Sequence, residues 1–137
     1  MQVEKNIAAT QELFAAFGAK DVPKILTFLD PEIVIEFYGP ATIPYAGTYR
    51  GLGEAHRFFT TVLSSVDINQ FDAEDIFGAG DKVVVTGHLN LRARSTGRLI
   101  DSDFVHVITL RDARWLRFRD FMNTAVATAA FARALAS

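Results

Sequence analysis

An α+β fold, with helices packed on one face of a curved and mostly antiparallel sheet around a pocket, is what this sequence predicts. Two observations carry the prediction. Apolar residues recur at helical spacing in much of the first half, and from Phe71 onward they alternate with period two. A third observation sets the size: 137 residues, 50% hydrophobic and 22% charged, fit one domain spanning 1–137 with one core.

Residues 6–18 bring Thr10, Leu13, Phe14 and Phe17 onto one helical face, and Gly18 ends the helix. Asp21 caps a second, short helix with Pro23 in its first turn and Ile25, Leu26, Phe28 and Leu29 on its buried side. Asp30-Pro31 is expected to close it, because the residue before proline is pushed out of the α region. A strand over 32–38 turns Ile33, Ile35 and Phe37 to one side and Glu36 to the other. Residues 39–51, with glycines, prolines and no sustained period, read as an ordered surface loop. A third helix over 53–66 presents Phe58, Phe59, Val62 and Leu63.

The remainder reads as a meander of strands over 71–77, 82–94, 99–110 and 115–122, with turns at 78–81, 95–97 and near Asp112-Ala113. Asn123 or Thr124 then caps an alanine-rich helix running through Phe131 and Leu135.

Alternation on the last two strands isolates a pair of ionisable groups. Phe104, His106, Ile108 and Leu110 share one face of the first, and Leu116, Phe118, Asp120 and Met122 share one face of the second. Each greasy face therefore carries one ionisable residue. Pairing Leu110 with Leu116 and Ile108 with Phe118 brings the apolar faces together, and the same register sets His106 opposite Asp120. A histidine beside a carboxylate in an apolar cavity suits proton transfer near neutral pH. The competing reading is a structural ion pair, although such pairs are often no more stabilising than hydrophobic residues of the same size. Leu13, Phe17, Phe37, Phe58, Phe59, Leu91, Phe104, Phe118 and Met122 are the expected lining of a small-molecule pocket around that pair.

Composition narrows the functional classes. The net charge is −2 with both signs interspersed, so no polyanion-binding tail is expected, and Arg92, Arg94, Arg117 and Arg119 are the one possible basic stripe. Nucleic acid is not an expected partner. With no cysteine there is neither a disulfide framework nor a thiolate site, and no histidine–carboxylate spacing resembles a metal centre. No cofactor is expected. No apolar run is long enough to span a bilayer, and the first residues lack a signal-peptide core, so a cytoplasmic location is expected and no membrane partner. His56 and His88 read as surface residues, the latter sharing its face with Thr86, Asn90 and Arg92. The sheet face carrying Val105, Val107 and Phe121 is left apolar by helices on the other side, which predicts a homodimer.

The segments PYAGTYRG and TGRLIDSDFVHVITLRDARWLRFRDFMNTA resemble the SnoaL-like polyketide cyclases, a group within the nuclear-transport-factor-2-like superfamily. The resemblance covers nearly the whole chain and implies a cone-shaped α+β barrel, three helices and a curved sheet around a deep pocket. In those cyclases an aspartate serves as general acid and base in an aldol ring closure, with a histidine nearby; the matching positions are Asp120 and His106. Members often carry aspartate where this chain has Asn123 and glycine where it has Ala113. The related ketosteroid isomerases use a tyrosine and two aspartates at positions occupied here by Leu13, Phe37 and His106, so their apparatus is missing. The inward arginine of the related limonene epoxide hydrolases has no counterpart either. What the resemblance implies is cofactor-independent acid–base chemistry on a small apolar carbonyl compound. The alternative is a ligand-binding or assembly module of the same fold without turnover.

Overall fold

The computed structural model describes residues 1–132. Helix α1 (Gln2–Gly18) buries Thr10, Leu13 and Ala16, and α2 (Val22–Thr27) starts at Asp21, whose side chain accepts a hydrogen bond from the Lys24 amide. Thr27, not Asp30-Pro31, ends α2, because strand β1 (Leu29–Phe37) already begins at a buried Leu29 that lies level with Trp115. Pro31 is tolerated there because it falls in the irregular stretch between the paired Leu29 and Val34, where its missing N–H interrupts no ladder.

The expected loop over 39–51 contains a short edge strand, β2 (Gly47–Arg50), which pairs antiparallel with β1 and buries Tyr49. Helix α3 (Gly51–Ser65) follows at once and runs without a loop into β3 (Val66–Ala79), whose start is five residues earlier than alternation suggests. Then come β4 (Lys82–Ala93), β5 (Leu99–Arg111), β6 (Arg114–Met122) and α4 (Thr124–Phe131). Asn123 caps α4 by accepting from the Val126 amide, while Leu135 of the expected tail helix lies outside the described residues.

The six strands form one sheet in the order β2-β1-β6-β5-β4-β3. All neighbours are antiparallel except β1 and β6, which run parallel with Phe37 level with Asp120. Register shifts at 68/70 and 73/75 bulge β3, and such bulges bend and twist a strand, so the sheet curls over α1 and α3. At the bend, Gly87 comes so close to the Asp72 carbonyl that a Cβ there would lie 1.9 Å from it and 2.6 Å from the Phe104 ring.

The turn between β5 and β6 fixes what faces the core. Asp112 and Ala113 both adopt positive φ, 53° and 58°, as a two-residue hairpin turn requires, so Arg111 pairs with Arg114 and Leu110 with Trp115. The expected Leu110–Leu116 pairing is therefore replaced. Leu116 is the extra residue of a bulge, and beyond it the register becomes Ile108–Phe118 and His106–Asp120. Trp115 takes the inward position, 1% exposed, and its indole N–H donates to the Thr10 hydroxyl at 3.1 Å. Among the described residues, no helix is long and apolar enough to cross a membrane.

Candidate active site

Between α1, α3 and the inner face of the sheet lies a cavity of about 60 Å³, measured to the centres of water-sized spheres. Of the residues expected to line it, Leu13, Phe17, Phe37, Phe58, Phe59, Leu91, Phe118 and Met122 do so. Phe104 does not. Its ring leans across Gly87, which has no side chain to exclude it, and stacks on Phe71 with centroids 4.7 Å apart, so it backs the wall from behind.

His106 and Asp120 meet in this cavity as cross-strand partners, with Nε2 of the imidazole 3.3 Å from Oδ1 of the carboxylate. The histidine side chain is 4% exposed and the aspartate 15%, so the pair is shielded while the carboxylate still borders open space. Four aromatic rings box the imidazole: Phe104 at 4.6 Å, Phe118 at 4.8 Å, Phe14 at 5.7 Å and Phe71 at 6.1 Å between centroids. Its Nδ1 is buried without a hydrogen-bond partner. Asp120 is the one carboxylate and His106 the one imidazole in the described lining.

A third polar group joins them that periodicity does not reveal. Tyr45, from the loop between β1 and β2, is 3% exposed and lines the same cavity, and its hydroxyl is buried with no partner. Burial, and after it the nearby Asp120 charge, pushes the Tyr45 phenol above its ordinary pKa. An orphaned hydroxyl costs about 1–3 kcal/mol, a cost that a core-filling phenylalanine would avoid. Phe14, Val62, Val66, Ile68, Phe71, Leu89 and Trp115 complete the wall. Of these, Phe71 and Ile68 were hidden because the bulges of β3 break its alternation.

The remaining candidates lie elsewhere. His56 is exposed on α3. On the outer sheet face, His88 sits between Asp103, 2.9 Å from Nδ1, and Asp101, 2.8 Å from Nε2. Glu36 also faces outward, accepting from Arg117 at 2.6 Å and from Tyr38 at 2.8 Å. The four arginines form no continuous stripe, since Arg92 lies level with Leu99 and Arg119 with Val107, roughly 27 Å apart along β5 at ~3.4 Å per residue. Two of them are neutralised, Arg94 by Asp67 and Arg117 by Glu36. Among the described residues, no cluster of three histidine or acidic side chains could hold a metal.

Several solved structures share the fold of this chain. An NTF2-like protein from Burkholderia xenovorans LB400 matches with a TM-score of 0.87 at 25% identity, over 95% of this chain and 98% of that one. TerC, co-crystallised with polyporic acid, matches with a TM-score of 0.80 at 24% identity, over 93% and 98%. A protein from Jannaschia sp. CCS1, provisionally assigned as a SnoaL-like polyketide cyclase, matches with a TM-score of 0.78 at 19% identity, over 96% and 95%. No curated protein matches the sequence. The six-stranded curved sheet and its helices are thus the NTF2-like cone fold. The SnoaL-like domain model matches residues 10–118, and the chain belongs to that family.

Proposed function

We propose that this chain is a cofactor-independent enzyme that moves a proton beside the carbonyl of a small, largely apolar compound. The observation that carries the reading is a single carboxylate, Asp120, bordering a largely apolar cavity with an imidazole 3.3 Å away. Asp120 is the group that takes up and returns the proton, and His106 holds the carboxylate. Isomerisation and intramolecular aldol closure both begin with this step. The apolar, largely aromatic lining suits a small hydrophobic compound. The acting molecule is a cytoplasmic homodimer of single-domain subunits, with neither nucleic acid nor membrane as partner.

The test is exchange of the α-protons of 2-indanone in D2O, followed by proton NMR. The wild type should exceed the buffer rate, and Asp120→Asn should lose about a hundred- to ten-thousand-fold of that excess, the usual worth of a general base. Asparagine keeps the size of the side chain and a polar group facing His106, so the melting temperature should barely move. A structural pair behaves oppositely: breaking one costs roughly 3–5 kcal/mol. An Asp120→Asn protein with unchanged exchange and a sharply lower melting temperature would falsify the catalytic assignment. The second reading, a binding module without turnover, rests on the same apolar cavity. It is favoured if the wild type gives no exchange while native mass spectrometry finds a small compound retained.

A further inference from the structure

Tyr45 is held in place by everything except its hydroxyl. Its backbone carbonyl accepts from the Tyr49 hydroxyl at 3.0 Å, and the turn around it is closed by hydrogen bonds from the Ile43 amide to Pro40 and from the Ala46 amide to Ile43. The ring is gripped edge-on by Phe37 at 5.0 Å and Phe131 at 5.8 Å between centroids. Phe37 is the residue level with Asp120 in the β1–β6 register, so the phenol, packed on Phe37, lines the cavity beside the strand that neighbours the carboxylate's own. The result is an oriented, neutral, unpartnered O–H within range of the Asp120 charge.

We propose that the Tyr45 hydroxyl is the donor that holds the substrate's carbonyl oxygen, and that the substrate is a small planar compound whose carbonyl can enolise. This rests on the proton-transfer reading of Asp120. In the step, the carboxylate takes the α-proton, the C–H pair becomes the carbon–carbon double bond, and the carbonyl π pair moves onto oxygen. The enolate oxygen then accepts the Tyr45 hydrogen bond, and the phenol keeps its proton because burial opposes its ionisation. Reprotonation at carbon by Asp120 completes an isomerisation; in an aldol closure the enolate carbon attacks a second carbonyl, the π pair of that carbonyl moves onto its oxygen, and this oxygen takes the proton back from Asp120. A donor fixed before the reaction needs no reorganisation when charge develops, which gives the orphaned hydroxyl a use.

The probe is 4-nitrophenol, a one-ring mimic of an enol whose ionisation is read by absorbance, titrated at a pH above the phenol's own pKa. In the Asp120→Asn protein the amide stands in for the protonated acid, so phenolate should bind. Adding Tyr45→Phe should weaken that binding by roughly ten- to a hundredfold, the worth of a hydrogen bond to a charged acceptor. The melting temperature should stay level or rise, since only an unpaired hydroxyl is removed. Equal phenolate affinity with and without the hydroxyl overturns the proposal, as does a failure of Asp120→Asn to bind phenolate. Exchange of 2-indanone separates the two readings. If Asp120→Asn abolishes exchange and Tyr45→Phe leaves it unchanged, the Tyr45 assignment fails and proton transfer stands. If Asp120→Asn exchanges normally while phenolate affinity still depends on the hydroxyl, proton transfer fails and the anion-holding role of Tyr45 stands.

Discussion

His88 and His106 both sit against aspartates, yet their surroundings give them different work. On the outer face, hydrogen bonds donated to Asp103 and then to Asp101 raise the His88 pKa to about 8. A folded-state value above the unfolded one means that this contact stabilises fully below pH 6.5 and is lost as the pH rises through 8. Proton NMR should therefore find the His88 titration midpoint near 8, moving down in Asp103→Asn. A wild-type midpoint near 6.5 would sink the argument. His106 has one carboxylate and four aromatic rings instead, and that contrast is legible in the sequence because each strand face is homogeneous apart from one residue. Tyr45 is not legible in the same way. It lies in a stretch without period, where nothing but the tertiary fold says that a tyrosine points inward.

Elements long enough to alternate declare themselves, and those interrupted by bulges do not. The last three strands follow from period two, yet a two-residue turn at Asp112-Ala113 and the register His106–Asp120 are incompatible unless one residue is looped out. Leu116 is that residue, and Trp115 becomes core in its place. The partner of β1 could not be read at all, because a parallel pairing with β6 joins segments some eighty residues apart with no turn between them to signal it. Gly87 is the corresponding unread constraint on β4. A methyl group there would collide with the Asp72 backbone, which is fixed by the β3 bulge, and with the Phe104 ring that backs His106. Gly87→Ala should cost about 1–3 kcal/mol by overpacking and displace Phe104. Thermal melting checks the first part. A variant as stable as the wild type would mean that the bend in β3 yields more easily than its backbone pairing suggests.

At the scale of the whole molecule, the two faces of the sheet are asymmetric. The inner face is closed by α1 and α3, and the free edge β3 is studded with Asp67, Asp72, Glu74 and Asp75, charges that discourage pairing with another strand. Among the described residues, no helix covers the middle of the outer face. There Val105 is 37% exposed, Phe121 38% and Tyr38 42%, with Val105 level with Phe121 and the Tyr38 and Phe121 rings stacked at 5.1 Å. Three neighbouring apolar groups on an ordered sheet would form the centre of the proposed dimer interface, and Arg119, 5.6 Å above the Phe121 ring, would suit its rim. A second copy of the same face is the self-complementary partner that two-fold symmetry supplies. Light scattering at micromolar concentration should give the mass of a dimer for the wild type. Val105→Glu combined with Phe121→Glu should give that of a monomer, because like charges would meet their own copies across the axis. Neither residue lines the cavity, so 2-indanone exchange should survive in the monomeric variant. A wild type that is monomeric at these concentrations would leave the patch without an occupant and remove the reason for its exposure.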